Sequence, residues 1–464
     1  MKVLLINPPS KMPYPVLPLG LAYVAAYLRE EGISVEILDS WAERYSPADI
    51  RKEIERRSPE IIGITAMTPT YKNAQEMAQI SRRADPDALI VMGGAHPSSI
   101  PAEILIDCPE ADISVRGEGE IAMLEICRAR ESGSNLQTIK GIAFRRGDTI
   151  VVNDPSEMIA DLNSLPFPAR DLFPLKRYQT HPPYGRKNPY GTMVAQRGCP
   201  FSCQYCSKSV FGSTLRLRSV DNVLEEINAL VHDQGVREIH FYDDIFTIKK
   251  DWIFTFCSRL KKESYKLSWS CTTRVDLVDE AMLREMKAAG CWMISFGVES
   301  GCQEILDSVR KGYKLEQVTE AFRITRKAGI RTVAYYMIGF PSDTVETIKK
   351  TVEFMIGLKP DFASLGIGVL LPGSELSASL QALPGNVERE KAEALGMTPL
   401  SEGEYQLMSN RMSREELESW ARWATRKFYL RISYLISTAL KIRSPGEFVG
   451  YLKAGIMTLK WARK

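Results

Sequence analysis

The stretch 197-RGCPFSCQYCSKSVFG-212 decides the reading of this chain. Cysteines stand at 199, 203 and 206, spaced Cys-x3-Cys-x2-Cys, with Tyr205 directly before the last. Closed structural zinc sites use four protein ligands, commonly as two close pairs. The nearest further candidates, His181 and Cys257, form no second pair. Soft thiolates favour an iron–sulfur cube instead. Three cysteines then hold three irons and leave the fourth open to a small molecule. The spacing lets one loop wrap a single cluster, and Tyr205 offers a flat face for a heterocycle.

Working outward, the loop follows a strand candidate, TMVAQRG, that opens a regular alternation over residues 191–385. EIHFYDD, LSWSCTTRV, WMISFGVES, RTVAYYMIGF and DFASLGIGVLL read as further strands, separated by amphipathic helices. Six such units suit an open, partial (βα)6 barrel, whose sites lie at the carboxyl ends of the strands. Asp243, Asp244, Arg274, Glu299, Ser300 and Pro341 cluster there. The adjacent acids Asp243 and Asp244 have two readings, a helix cap or a pair that positions a ligand.

Residues 1–135 alternate in the same manner: KVLLIN, SVEILD, IIGITAM, LIVMGGAHP and ISVRGEGE as strands, LGLAYVAAYLREEG and NAQEMAQISRRA as helices. Such alternation predicts a Rossmann-like, doubly wound α/β domain with a parallel sheet covered on both faces. Its ligand crevice lies at the carboxyl ends of the strands, in NPPS, TAMTPTY, GGAHPSS and RGEGE. Residues 136–190 read as a hairpin turning at Gly147-Asp148 and a connector rich in Pro and aromatics. Residues 386–464 read as a helical carboxyl-terminal region, with a capping box from Ser413 to Glu416.

Bulk properties set limits. A length of 464 residues suits two or three domains, and 25% charged with 44% hydrophobic residues is ordinary for a globular protein. A net charge of +3 argues against a nucleic-acid partner. No apolar run reaches the ~18–20 residues that span a bilayer, and the amino terminus reads as a strand rather than a signal peptide. The expected compartment is the cytoplasm. Outside the triad, six cysteines lie singly among apolar residues, where they act as small core hydrophobes. Between Arg426 and Lys464 nine Lys or Arg accompany one acid, Glu447, amid Phe, Tyr, Trp, Leu and Ile. That segment reads either as a helical cap with a solvated basic face or as a surface for an anionic inner membrane or an apolar substrate.

The loop CPFSCQYC after MVAQRG resembles the radical S-adenosylmethionine (radical SAM) superfamily. The resemblance implies a 4Fe-4S cluster on Cys199, Cys203 and Cys206, with SAM chelating the open iron. An electron from the cluster then breaks the sulfonium bond and releases a 5′-deoxyadenosyl radical. FYDDIFT, WSCTTRVDL and FGVESG resemble the second-, fourth- and fifth-strand segments near SAM. By that resemblance Tyr205, Asp243, Asp244, Arg274, Glu299 and Ser300 are SAM-site candidates. Arginine suits a carboxylate and glutamate an ammonium group.

NPPS, LPLGLAYVAAYLREEG, ITAMTPTY and GGAHPS resemble the cobalamin-binding domain of one radical SAM class, which includes carbon methyltransferases and the anaerobic magnesium-protoporphyrin ester cyclase. Asn7, Pro8, Thr65, Thr68, Thr70, Gly93, Gly94, His96, Gly117 and Glu118 are the implied cobalamin contacts. The chain lacks the Asp-x-His-x-x-Gly motif that ligates cobalt from below, so His96 is expected to be a loop residue near the cofactor rather than a ligand. The class implies methyl transfer to an unactivated carbon, by one SAM that methylates cob(I)alamin and a second that yields the radical. The alternative is cyclisation or carbon–carbon coupling on a lipid or tetrapyrrole, and a rival of another class is a cofactor-binding sensor without turnover. A flavodoxin- or ferredoxin-like electron donor and an organic substrate are the implied partners. The two domains are expected to enclose one dry cavity, the barrel mouth facing the carboxyl ends of the first sheet.

Overall fold

The computed structural model describes residues 1–10, 12, 14–180, 184–263, 265–381, 407–409, 411–442 and 445–463. His181, read above as a possible zinc partner, lies outside them, as do residues 386–406 of the carboxyl-terminal region.

The first sheet contains β1 (Lys2–Asn7), β2 (Ser34–Asp39), β3 (Ile61–Thr65), β4 (Leu89–Gly93), β5 (Ile113–Val115), β6 (Ile142–Arg146) and β7 (Thr149–Val152). Their order is β2-β1-β3-β4-β5-β6-β7, parallel through β5 and antiparallel beyond it. Alternation along β1 shows why its run is apolar throughout. Val3 and Leu5 enter the core beneath the helices Leu19–Glu30 and Gly119–Ser132, while Leu4 and Ile6 enter the core on the opposite face. One expectation is corrected here. The hairpin assigned to the connector extends this sheet, covering the otherwise open edge of the three-residue β5. The sheet therefore runs past residue 135 to Val152. The turn falls where expected, with Gly147 at φ +60°.

The second sheet is formed by β8 (Tyr190–Met193), β11 (Glu238–Phe241), β12 (Ser268–Thr273), β13 (Cys291–Glu299), β14 (Arg331–Ile338) and β15 (Phe362–Ile367). All six are parallel in the order β15-β14-β13-β12-β11-β8, and the end strands do not pair, which leaves the barrel partial. Ile239, Phe241, Trp269, Cys271 and Phe296 face the helix-covered core. The period of two therefore turns His240, Tyr242 and Ser270 inward. Two short strands, β9 (Gln196–Arg197) and β10 (Arg216–Leu217), pair antiparallel and close a neck around the cysteine loop.

The helix Arg414–Tyr429 begins with the expected capping box: Ser413 Oγ accepts from Glu416 N at 3.2 Å and Glu416 Oε2 accepts from Ser413 N at 2.7 Å. Its buried stripe, Leu417, Ala421, Ala424 and Phe428, packs against the barrel. Among the described residues no helix is long and apolar enough to cross a membrane. All six cysteines outside the triad are buried.

Candidate active site

The cysteine loop leaves the neck through Gly198, at φ +90°. A Cβ there would overlap Thr214 O, so only glycine allows the two arms of the neck to approach. Cys199 N donates to Gly212 O at 3.3 Å, Cys206 N to Cys203 O at 3.2 Å, and Gln204 N to Val309 O at 3.2 Å. These bonds hold the three thiols on one loop. Cys199 and Cys203 are half-buried and Cys206 is exposed. The Cys203 thiol is held down to about 6, first by its hydrogen bond with Cys206 and then, against burial, by the Lys311 and Arg274 cations. That bond pushes Cys206 up, and burial pushes Cys199 up. Among the described residues no three His, Cys, Asp or Glu side chains converge on a single metal ion. Cube ligands each take a separate iron and stand further apart. The donor set fits a cluster.

A charged arc flanks the loop. The Arg274 guanidinium lies 3.7 Å from the Phe201 ring centre, with Nη1 3.9 Å from Cys203 Sγ. Its other donors reach Asp276 at 2.9 and 3.0 Å and Lys311 O at 2.8 Å. Lys311 Nζ bonds Glu299 Oε1 at 2.8 Å and Tyr205 OH at 3.0 Å. Glu299 adopts φ +66°, a left-handed conformation costly for a side-chain-bearing residue, at a register shift in β13. A Cβ on Gly297 would come within 2.6 Å of Glu299 Oε1, so that glycine keeps the carboxylate's place open.

Two expectations change at this point. Tyr205 offers no open face: its ring is 7% exposed and packs edge-on against Phe340 at 5.6 Å. Phe201, half-buried beneath Arg274, is the aromatic face beside the cysteines. Ser300 is committed elsewhere, its Oγ bonding Thr351 Oγ1 at 3.0 Å and accepting from Cys302 N at 3.1 Å. Lys311 escaped the sequence reading because it is one of several cations in VRKGYK. Only its burial sets it apart.

Asp243 and Asp244 part company. Asp243 is buried and accepts from Ala195 N at 2.8 Å and Gln196 N at 2.6 Å, which fixes the chain entering the neck. Its second oxygen has no partner among the described residues. Burial, only partly offset by those bonds, pushes its carboxyl up to about 7. Asp244 is exposed at the barrel mouth.

The first domain meets this loop end-on. Ser99, just beyond β4, bonds Ser209 Oγ at 2.9 Å and approaches Ser207 Oγ at 3.3 Å. The carboxyl ends of the first sheet therefore face the cysteine loop, as expected. Gly94 at φ +106° and Gly117 at φ +88° keep backbone bare there, and a Cβ on Gly94 would strike Ala66 O at 2.6 Å. Thr65 and Thr70 are half-buried and Met67 exposed around the same crevice. Pro8 is buried and Gly93 half-buried at the ends of β1 and β4. This small-residue rim fits a large planar cofactor.

His96 does not reach the crevice as a ligand. It is buried, 4.4 Å from the Tyr71 ring, with Nδ1 3.2 Å from Thr68 Oγ1 and Nε2 without a partner among the described residues. Burial pushes it down to about 4. Asn7 is likewise turned to the protein, donating to Asp39 Oδ1 at 3.0 Å. Glu118 needs correction as a cobalamin contact: both oxygens are taken by buried arginines. Arg197 Nη1 reaches Oε1 at 2.6 Å, and Arg216 Nη1 reaches Oε2 at 2.7 Å. Arg197 also bonds Glu120 Oε1 at 2.7 Å. The acids of RGEGE thus grip the arginine that precedes Gly198. Sequence reasoning missed this clasp because its two halves lie about eighty positions apart.

Comparison with known proteins agrees with this geometry. Residues 193–355 match the radical SAM superfamily and residues 10–127 the B12 binding domain. An uncharacterised methyltransferase of Pyrococcus horikoshii is 34% identical over 383 residues, covering 81% of this chain and 82% of that one. The anaerobic magnesium-protoporphyrin IX monomethyl ester cyclase of Rubrivivax gelatinosus is 30% identical, covering 94% and 78%. The cobalamin-dependent S-adenosylmethionine radical enzyme OxsB, with aqua-cobalamin bound, shares the fold at TM-score 0.76 and 18% identity, over 99% of this chain and 72% of that one. The chain belongs to the radical SAM superfamily, in the class with an amino-terminal B12-binding domain. It is an enzyme of that class, whose cofactors are a 4Fe-4S cluster, SAM and cobalamin, and whose chemistry requires an electron donor and an organic substrate.

Proposed function

We propose that this enzyme transfers a methyl group to an unactivated carbon of an organic substrate. The observation that carries the reading is the Ser99–Ser209 contact, which brings the crevice of the B12-binding domain against the cysteine loop. When bound, the cluster and SAM supply a carbon-centred radical and cobalamin supplies the methyl group. Cys199, Cys203 and Cys206 hold the cluster. Arg274 screens the charge of Cys203 and, with Phe201, walls one side of the SAM pocket. Glu299, which bonds Lys311 here, would hold the ammonium of SAM, and Lys311 would keep its bond to Tyr205 OH. Asp243 and Ser300 act at one remove, holding the neck and the end of β13, whereas Asp244 faces the cavity. Pro8, Thr65, Thr68, Thr70, Gly93, Gly94 and Gly117 form the cobalamin crevice, and His96 and Asn7 support it from below. Inside the barrel His240 Nδ1 lies 2.8 Å from Ser270 Oγ with the Tyr242 ring at 4.5 Å, an aromatic and polar wall for the substrate.

The electron donor in this reading is flavodoxin- or ferredoxin-like, and the substrate a lipid or tetrapyrrole. The protein works in the cytoplasm with peripheral contact to the inner membrane surface through its basic carboxyl-terminal helices. The test is anaerobic turnover of reconstituted enzyme with methyl-labelled SAM. Methyl transfer yields S-adenosylhomocysteine together with 5′-deoxyadenosine. Deoxyadenosine alone favours cyclisation or coupling, as in the cyclase relative, and absence of both products favours a sensor.

A further inference from the structure

The helix Ile432–Ala439 is inverted. At 3.6 residues per turn, Ser433, Tyr434, Ser437, Thr438 and the following Lys441 share one side. They line a cleft of about 250 Å³ against the amino-terminal ends of β14 and β15. Ile432, Leu435, Ile436 and Leu440 occupy the opposite side and are 75%, 53%, 57% and 82% exposed. No residue of this helix is buried. A surface helix ordinarily turns its apolar stripe inward. Here polar contacts hold it: Tyr434 OH donates to Asp361 O at 3.0 Å, and Lys441 Nζ pairs with Asp361 Oδ1 at 2.6 Å. The next helix, Pro445–Arg463, also exposes apolar side chains, Phe448, Val449, Leu452 and Ile456.

The cleft behind this face is cationic. Arg331, Lys359, Arg431 and Lys441 line it with a single carboxylate, Asp361. Glu447, beside it, pairs with Arg331 at 3.0 Å. In sequence, residues 426–464 carry nine Lys or Arg and one acid, Glu447. We propose that the Ile432–Ala439 helix lies in the surface of an anionic membrane and that the cleft receives a lipid phosphate. Interfacial helices sink their apolar face roughly 5–10 Å into the bilayer. A helix is about 10 Å across, so the cleft side then stands at the level of the phosphates. Lys359 and the Lys441 ammonium meet the anion there, while Arg331, engaged with Glu447 Oε1, Tyr451 OH and Lys441 O, holds the wall of the cleft and Arg431, bonded to Phe428 O and Ile356 O, fixes the start of the helix. The proposal deepens the peripheral contact read above and is independent of the methyl-transfer chemistry.

The test is flotation of the full chain with vesicles of phosphatidylcholine alone or mixed with phosphatidylglycerol, at low and high salt. Wild type is expected to float with the mixed vesicles, at least about tenfold more than with phosphatidylcholine. Leu435→Ser/Leu440→Ser, at exposed positions, is expected to lose flotation on both. Lys359→Glu/Lys441→Gln is expected to lose roughly tenfold on mixed vesicles only. Unchanged iron content and circular dichroism establish that each variant folds. Equal binding of wild type to both vesicles overturns the phosphate cleft while leaving the contact. No flotation at all overturns the contact itself. A dimer that Leu435→Ser/Leu440→Ser dissociates, without vesicle binding, makes the face an interface between copies and overturns the proposal.

Discussion

Two charged systems grip the cysteine loop from opposite sides, and they are built differently. On the side of the first domain, Glu118, Glu120, Arg197 and Arg216 are all buried, and both Glu118 oxygens are met by arginine. Tyr23 and Phe211 sandwich Arg197, their ring centres 5.0 and 5.1 Å from its guanidinium carbon. On the barrel side, Arg274, Asp276, Glu299 and Lys311 pair among themselves but border the cysteines, with an Arg274 nitrogen facing only sulfur and Glu299 in a left-handed conformation. A buried network fastens one domain to the loop of the other. The network on the barrel side is also largely buried, but it borders the cysteines directly, with Arg274 Nη1 3.9 Å from Cys203 Sγ and Lys311 shared between Glu299 and Tyr205.

Substitutions break this contrast in a definite order. Cys203→Ala removes a proposed cluster ligand, and 5′-deoxyadenosine formation is expected to fall below detection, with iron per chain reduced. Glu118→Gln leaves Arg197 and Arg216 without their shared counter-charge, at a cost of about 3–5 kcal/mol, read as a lower urea midpoint. Asp243→Asn probes the neck through pH. The folded state holds the Asp243 proton more tightly than the unfolded chain, so wild-type stability falls as pH rises from about 4 towards 7. The asparagine variant keeps the acceptor for Ala195 and Gln196 and is expected to gain on wild type by on the order of 2–4 kcal/mol between pH 5 and 8. Glu238, also pushed up to about 7 by burial, preserves part of the slope in the variant.

On the barrel side, Lys311→Met is expected to weaken the SAM-induced change in the electron paramagnetic resonance of the reduced cluster. Its concentration dependence should shift roughly 10–100-fold, the usual effect of losing a supporting partner, while the urea midpoint moves less than in Glu118→Gln. Ser99→Ala, which removes the neutral hydroxyl contacts to Ser207 and Ser209 at the domain contact, is expected to cost ~1 kcal/mol.

Much of this was legible because periodicity and spacing are local properties. The strands on either side of the cysteines, the six-unit barrel, the turn at Gly147 and the cap at Ser413 follow from neighbouring residues. Glu118 was misread for the same reason: at the end of β5 its position suited a cofactor contact, and the arginines that occupy it lie at 197 and 216. Burial likewise distinguishes Lys311 from Arg310 and Lys314, and hides Tyr205 while leaving Phe201 partly open. None of these differences is carried by residue type. The inverted helix at Ile432–Ala439 shows the limit from the other side, since its sequence marks an amphipathic element without saying which face turns to the protein.

The most direct test of the central claim is metal content. Protein purified without oxygen and reconstituted with iron, sulfide and hydroxocobalamin would be desalted and its iron and cobalt measured per chain. The account expects about four irons and one cobalt, with the iron lost in Cys203→Ala and the cobalt retained. Four irons without cobalt would contradict it, leaving radical chemistry without a methyl carrier and the crevice facing the cysteine loop without an occupant.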